Sequence, residues 1–254
     1  MAKRLAIALY GLLSYVIFLG AFLYAIGFVG NYLVPKSVDS GATGAGAMAL
    51  LVDLALLGLF GVQHSVMARP AFKAWWTRLI PAASERSTFV LFASLVLLLL
   101  YWQWMPLPAV VWQVTDEPGR TALLAVFWFG WVLVLVSTFL INHFHLFGLQ
   151  QVYAELRSRP LPEAKFVVPF LYRLIRHPIM LGFLLAFWAT PVMTVGHLLF
   201  AVVTTGYILV GISFEERDLR NTLGAAYDEY RRRAPMLIPL PKKVDQASEA
   251  PDAT

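Results

Sequence analysis

The sequence has no cysteine and few charged residues. Without cysteine, the chain cannot form disulfides, thiolate metal sites, iron–sulfur clusters or a cysteine nucleophile. Only 14% of its 254 residues are Asp, Glu, Lys or Arg, whereas a water-soluble domain has about a quarter. Too few polar side chains are present to cover a soluble surface. This excludes a soluble enzyme, a disordered protein and a conventional nucleic-acid-binding protein.

Long apolar runs make up most of the chain, of which 59% is hydrophobic. A helix needs about 20 mostly apolar residues to cross a bilayer. Because the runs are continuous rather than alternating, they do not indicate a β-barrel. We expect an all-α, polytopic membrane bundle of about six helices, the last two forming a tight hairpin, with a cytoplasmic helix near the C-terminus. The predicted spans are residues 5–33, 47–67, 87–105, 121–147, 178–195 and 197–214.

The basic residues are distributed unevenly over the predicted loops. With six spans, eighteen of the twenty Lys and Arg residues fall on the side of the N-terminus, and only Lys36 and Arg120 fall on the other. Cytoplasmic loops of membrane proteins carry such an excess. The distribution predicts a multi-pass protein of the bacterial inner membrane with both termini in the cytoplasm. Residues 244–254 are small and polar, and are predicted to be a disordered tail.

Two histidines lie near the cytoplasmic end of the fourth predicted span. His143 and His145 are two residues apart, so on a helix they point about 200° apart and cannot chelate one ion. No metal site is predicted. Two interpretations remain open, since such histidines either cap a membrane helix at the interface or line a site. Gly148 is expected to end this helix.

A second polar feature opens the predicted hairpin. Arg176 and His177 precede Pro178, a residue tolerated at a helix start because its missing N–H costs nothing there. The free N–H groups of this first turn, together with the two basic side chains, favour an anion or carboxylate. Gly182, one turn later, allows close approach of a ligand or of another helix. The alternative is that these are only the basic residues expected at a cytoplasmic helix end.

Adjacent carboxylates and a tyrosine pair follow the last span. Glu215 and Glu216 would be costly beside a bilayer unless solvated or paired. Tyr227 and Tyr230 lie three residues apart on one helix face, where they could pack on an adenine or on the bilayer. Arg231 begins a run of three arginines. The alternative is a solvated amphipathic helix on anionic lipid.

The second predicted span carries Asp53 and His64. They are eleven residues apart, so they share a helix face and are separated by about 16 Å of rise. A carboxylate inside a membrane is a functional candidate by default. We expect a structural hydrogen bond for Asp53, which lies far from the proposed cytoplasmic site, and a place along the substrate route for His64.

Four motifs in order carry a family resemblance: R-H-P-x-x-x-G at 176–182, E-E-x-x-L at 215–219, G-x-x-Y-x-x-Y at 224–230 and P-x-x-I-P at 235–239. Together they resemble the isoprenylcysteine carboxyl methyltransferases and their bacterial relatives over roughly residues 140–240. Gln63-His64-Ser65 and residues 68–76 resemble the NnrU-type branch. The whole chain most resembles the bacterial methanethiol S-methyltransferases.

The resemblance implies one membrane domain, 1–254, with NnrU-like helices in 1–120 and a methyltransferase-like cofactor-binding part in 121–240. It implies S-adenosylmethionine as cofactor and a small volatile thiol, methanethiol, as the substrate converted to dimethyl sulfide at the membrane interface. Partners other than this thiol and the bilayer, such as nucleic acid or a metal, are not expected. The implied cofactor-binding residues are Arg176, His177, Pro178, Leu181, Gly182, Glu215, Tyr227, Tyr230, Arg231 and Gln151.

Three residues are predicted to act in catalysis: His143, His64 and Glu216. A thiol attacks as its thiolate, so a base or a cationic pocket assists it. His143 is the hypothesis for that base, because an imidazole titrates in the right range.

Other functions remain open at this stage. Isoprenylcysteine enzymes usually carry tyrosine where this chain has Met180, which disfavours a prenylated carboxylate acceptor and suits a small soft thiol. The alternatives are methylation of another thiol, an isoprenylcysteine carboxylate or a lipid amine, and a non-enzymatic NnrU-like protein. A transporter using Asp53 and His64 is disfavoured, because neither inverted repeats nor broken mid-membrane helices are evident.

Overall fold

The structure is a computed structural model, and it describes residues 1–162 and 166–239. The predicted tail, 244–254, lies outside these residues, as do Lys165, Lys242 and Lys243 of the loop-charge argument. The helices are α1 (Ala2–Gly30), α2 (Gly46–Ala68), α3 (Pro70–Trp76), α4 (Glu85–Gln103), α5 (Glu117–Ile141), α6 (His143–Leu146), α7 (Leu149–Leu156), α8 (Leu171–Leu174), α9 (Pro178–Trp188), α10 (Val195–Leu223) and α11 (Ala225–Arg233), with a 3₁₀ turn at Ala82–Ser84. The strands are β1 (Val110–Gln113) and β2 (Val192–Thr194).

Five helices of the described residues are long and apolar enough to cross a membrane. They are Ala2–Gly30, Gly46–Ala68, Ala82–Gln103, Glu117–Ile141 and Val195–Leu223. Large apolar side chains such as Leu9, Leu51 and Phe129 are exposed on their outer faces, as lipid-facing helices require. The prediction of an all-α polytopic membrane protein is confirmed.

The helix observed in the predicted span 178–195 is shorter than that span. Helix α9 has 11 residues, which rise about 17 Å and do not cross a hydrocarbon core of about 30 Å. The prediction of a full helix is wrong because Pro191 follows closely and its preceding residue disfavours helical geometry. Residues 189–191 connect α9 to β2, and α10 then returns, so the hairpin has one short arm.

The small sheet was not predicted from the sequence. Strands β1 and β2 pair antiparallel, with Val110 opposite Thr194 and Gln113 opposite Val192. Runs of three or four residues are too short to show the alternation that identifies a strand. This sheet joins the α4–α5 connection to the α9–α10 hairpin.

The connections between the long helices form two layers. We call one the sheet end, made of residues 31–45, 104–116 and 189–194, and the other the basic end, made of the N-terminus and residues 69–86, 142–162, 166–178 and 215–239. Contacts between distant parts of the chain hold the basic end together, such as the ion pair of Arg69 with Asp218 at 3.4 Å. The structure thus gathers on one side the loops whose charges point to the cytoplasm, and their cytoplasmic location stays a prediction.

Helices α5 and α9 cross at backbone contact. A Cβ atom on Gly130 would lie 2.6 Å from the carbonyl oxygen of Gly182, and one on Gly182 would lie 2.7 Å from that of Gly130. Side chains larger than hydrogen would push these helices apart. Gly182, the glycine of the R-H-P-x-x-x-G motif, therefore allows α9 to pack closely against α5. This packing fixes the position of the first turn of α9.

The fourth predicted span ends earlier than expected. Helix α5 stops at Ile141, and Asn142 has φ of 135°, outside helical geometry. The Asn142 side chain accepts a hydrogen bond from His145 N at 3.1 Å and so begins α6. Asparagine favours such local bonds over helix continuation. His143 consequently belongs to a separate short helix at the basic end.

Candidate functional site

A charged cluster at the basic end joins two of the four motifs with the residue that follows the third. We call it the Glu216 cluster, comprising Arg176, His177, Glu215, Glu216 and Arg231. Glu216 Oε1 accepts from Arg176 Nε at 2.7 Å and lies 3.2 Å from His177 Nε2, while Glu216 Oε2 lies 3.3 Å from Arg231 Nε. Glu216 and Arg176 are only 7% and 8% exposed. Two guanidinium groups therefore neutralise this buried carboxylate.

The fourth motif holds the same cluster through the backbone. Arg176 N donates to Pro235 O at 2.9 Å, and His177 N donates to Met236 O at 3.1 Å. Arg176 Nη1 also donates to Ala234 O at 2.6 Å. These bonds attach the chain beyond α11 to the mouth of α9, so the P-x-x-I-P ending closes the cluster.

Aromatic rings cover one side of the cluster. Tyr227 is 1% exposed, and its ring centroid lies 5.9 Å from that of Tyr230 and 6.3 Å from that of Phe166. Tyr230 Oη donates to Tyr172 O at 2.7 Å. Burial, with the Glu216 charge, raises the pKa of Tyr227 to about 12, so its hydroxyl stays protonated. Within the described residues that hydroxyl is buried without a hydrogen-bond partner.

Glu215 and Glu216 have different surroundings. Both oxygens of Glu216 face cationic groups, which favours an ion-pairing role over the predicted catalytic one. The Glu215 side chain is 51% exposed, and its Oε2 lies 3.5 Å from His177 Nδ1. It is the carboxylate of the cluster that is open to a ligand. The described residues hold no group of three or more His, Cys, Asp or Glu side chains suited to a metal ion.

The other predicted residues of α9 form its first turn. Pro178 is fully buried, and Leu181 N donates to His177 O at 3.1 Å. Gly182 contacts Gly130. The structure thus places Arg176, His177, Pro178, Leu181, Glu215, Tyr227, Tyr230 and Arg231 around one site, while Gly182 supports it from the side of α5.

His143 has a different set of neighbours. Its Nε2 lies 2.8 Å from Tyr15 Oη, its Nδ1 lies 2.9 Å from Thr138 Oγ1, and its ring stacks on Phe139 at 4.2 Å. Burial lowers the pKa of His143, so the ring is neutral near pH 7. Both ring nitrogens are occupied, and to act as a base His143 must give up one hydrogen bond.

His64 and Gln151 lie in a second polar group with Arg86. The rings of His64 and Phe89 are 4.8 Å apart, and the Arg86 guanidinium lies 5.1 Å from the same Phe89 ring. Gln151 Nε2 donates to His145 O at 3.0 Å. Sequence reasoning did not select Arg86, although an arginine in the first turn of an apolar helix is itself an indication of a polar interior.

Asp53 fits the structural role expected for it. It is fully buried at the sheet end, and its Oδ1 accepts from Met105 N at 2.9 Å, just beyond the end of α4. The carboxylate thus accepts a hydrogen bond from a backbone N–H just beyond the end of α4. Asp53 lies toward the sheet end, whereas the Glu216 cluster lies at the basic end.

We therefore expect Asp53→Asn to retain the protein's activity within about twofold, because an amide oxygen still accepts the Met105 bond. Asp53→Ala should lower the thermal unfolding temperature, because it leaves a buried donor unpaired at a cost of about 1–3 kcal/mol. Activity assays and unfolding curves on both variants check this. An inactive but stable Asp53→Asn protein would show that the charge at this position acts in function.

Comparison with known proteins identifies the chain's relatives. It is 58% identical over 241 residues to the methanethiol S-methyltransferase of Mycobacterium tuberculosis, covering 95% of this chain and 99% of that protein. It is 56% identical over 239 residues to methanethiol S-methyltransferase 2 of Bradyrhizobium diazoefficiens, covering 94% and 92%.

A more distant relative is Nurim of Mus musculus, 32% identical over 180 residues and 68% of each chain. No protein-family model and no solved structure matches the chain. High identity over nearly the full length of the first two relatives decides the assignment: the chain belongs to the methanethiol S-methyltransferase family.

Proposed function

We propose that the protein methylates methanethiol to dimethyl sulfide with S-adenosylmethionine as methyl donor. The observation that carries the proposal is the Glu216 cluster, which joins two motifs with the residue that follows a third, beside a half-exposed carboxylate and an aromatic wall. The relatives named methanethiol S-methyltransferases support methanethiol as the acceptor.

The residues of this cluster suit a zwitterionic nucleoside ligand. S-adenosylmethionine supplies an electrophilic methyl group on a sulfonium. Glu215 would hold its amino or ribose groups, and Arg231 its carboxylate, by charge-assisted hydrogen bonds. Tyr227 and Tyr230 would face the adenine. The buried Tyr227 hydroxyl, without a partner among the described residues, fits a polar ligand at this position.

The reaction needs an acceptor that reaches the site as a thiolate. Methanethiol is mostly protonated at neutral pH, so a base or a fixed cation would assist the attack. His143 and His64 are the predicted histidines. His143 is held between Tyr15 and Thr138, which suits a positioning role at the start of α6 as well as the predicted role as a base.

A location at the membrane interface suits both the substrate and the product. The basic end lies at the termini of helices whose outer faces are apolar. Methanethiol and dimethyl sulfide are small and apolar, so they would enter and leave through hydrocarbon, and no transport cycle is needed. With the charge distribution, this supports a site on the cytoplasmic face of a bacterial inner membrane.

Headspace gas chromatography over purified protein in lipid nanodiscs tests the proposal. We expect dimethyl sulfide that requires both S-adenosylmethionine and methanethiol. Calorimetry on the same sample measures cofactor binding independently. Binding without dimethyl sulfide would contradict the acceptor and leave another thiol, an isoprenylcysteine carboxylate or a lipid amine. Absence of binding to folded protein would contradict the methyltransferase and favour a non-enzymatic NnrU-like role.

A further inference from the structure

A second group of polar side chains lies at the basic end, and two of its members approach Phe89. We call Gln63, His64, Arg86 and Gln151 the Arg86 group. The His64 ring and the Arg86 guanidinium approach the Phe89 ring to 4.8 and 5.1 Å. Gln63 Nε2 donates to the sulfur of Met67 at 3.0 Å, and Met67 packs in one cluster with Phe89.

Arg86 and Gln151 are attached to neighbouring carbonyls of α6. Arg86 Nε donates to Leu146 O at 2.6 Å, and Gln151 Nε2 donates to His145 O at 3.0 Å. Burial and the Arg86 charge lower the pKa of His145, so His145 lies within reach of that charge. The described residues include no ion pair to Arg86, although the carboxylate of Glu85 is near.

Three polar atoms of the group are buried without a hydrogen-bond partner among the described residues: Gln63 Oε1, His64 Nδ1 and Gln151 Oε1. A buried polar atom without a partner is destabilising, so several around one fixed cation point to a ligand. The ligand that fits is small, donates a hydrogen, can carry negative charge, and has an apolar remainder. An alkanethiol has all four properties, with its methyl group against Phe89 and Met67.

We infer that the Arg86 group binds the acceptor thiol, an inference that rests on the proposed function. Arg86 stabilises the thiolate, because a permanently charged guanidinium favours the ionised sulfur. His64 Nδ1 receives the thiol proton. Gln63 and Gln151 orient the sulfur, which moves Gln151 from the predicted cofactor set to the acceptor side.

The electron count of this step is balanced. The S–H bond breaks and its proton passes to His64 Nδ1. A lone pair of the thiolate forms the new bond to the transferred methyl carbon. The bond from that carbon to the sulfonium breaks, and its electron pair stays on the donor sulfur, which becomes neutral. No oxidant, reductant or metal is required.

Helix α10 connects this group with the Glu216 cluster. Its Tyr207 ring lies 6.3 Å from the His64 ring, and Glu216 follows nine residues later on the same helix. Nine residues correspond to about 14 Å of rise, a distance that an extended nucleoside–amino acid cofactor can span.

Kinetics of four variants in nanodiscs test the inference: Arg86→Gln, Arg86→Lys, His64→Gln and, as the control, Arg78→Gln. We expect Arg86→Gln to raise the KM for methanethiol roughly ten- to hundredfold, because a charge-assisted contact is lost. The calorimetric Kd for S-adenosylmethionine should stay unchanged. Arg86→Lys should recover part of this loss. His64→Gln should lower kcat roughly a hundredfold. Arg78 is exposed and lies in the connection between α3 and α4, so removing its charge should leave both constants unchanged.

The outcomes separate this inference from the proposed function. An active wild type with unaltered kinetics in Arg86→Gln and His64→Gln would overturn the inference and leave the function intact. Weaker cofactor binding in Arg86→Gln, matching its loss of turnover, would assign the group to the cofactor and also overturn it. A wild type that binds the cofactor without methylating methanethiol would overturn the proposed function itself.

Discussion

Replacing Glu216 by glutamine is expected to destabilise the folded protein by about 3–5 kcal/mol, the cost of breaking a buried ion pair. The carboxylate lies between Arg176 and Arg231 and contacts His177. Glutamine keeps the shape of the side chain but removes its charge, which leaves two guanidinium groups facing each other in a buried site. Thermal unfolding in nanodiscs measures the loss, and calorimetry should show no binding of S-adenosylmethionine.

The neighbouring Glu215→Gln variant is the matched control. It removes the same charge at the next residue along the chain. Because the Glu215 side chain is half exposed, the free energy of unfolding should change by less than about 0.5 kcal/mol. Cofactor affinity should nevertheless fall, because Glu215 is proposed to hold the ligand. Equal stability of the two variants would contradict the account of Glu216 as the residue that joins α9, α10 and the C-terminal segment.

Gly182→Ala is expected to give the second large effect. The added methyl group would lie 2.7 Å from the carbonyl oxygen of Gly130, and backbone cannot move aside as a flexible side chain does. Overpacking of this kind costs about 1–3 kcal/mol. Because Gly182 is one turn from Pro178, displacement of α9 should also move Arg176 and His177 and weaken cofactor binding.

Gly206→Ala provides the comparison for this substitution. Gly206 lies in α10, and nothing would lie within 4 Å of its added Cβ. Alanine in an exposed helix interior stabilises by about 0.5–1 kcal/mol relative to glycine, so this variant should be as stable as the wild type or more so. Thermal unfolding of both proteins checks the contrast. A Gly182→Ala protein with wild-type stability and cofactor affinity would contradict the close helix crossing.

The sequence motifs identified the residues of the Glu216 cluster but not its connections. Arg176, His177, Glu215, Glu216 and Arg231 were all selected as site residues, because paired carboxylates and basic residues beside a membrane require partners. Which carboxylate is buried was not predictable. Glu215 and Glu216 are adjacent on a helix, and only the packing of α9 and α11 decides which of them faces inward.

Local chain geometry was the harder part to predict. Hydropathy located every long span, since the bilayer imposes length and composition. It did not show the break at Asn142 or the short α9, because both depend on single residues within apolar runs. The Arg86 group was also not found as a unit, since its members come from α2, α4 and α7 and meet only in the folded chain.

The most direct measurement follows the methyl group itself. Purified protein in nanodiscs is given S-adenosylmethionine with a deuterated sulfonium methyl and unlabelled methanethiol, and the headspace is analysed by mass spectrometry. The account predicts dimethyl sulfide with one deuterated and one unlabelled methyl group, and none when Glu216→Gln replaces the wild type. Folded wild-type protein that binds the cofactor yet forms no labelled dimethyl sulfide would contradict it.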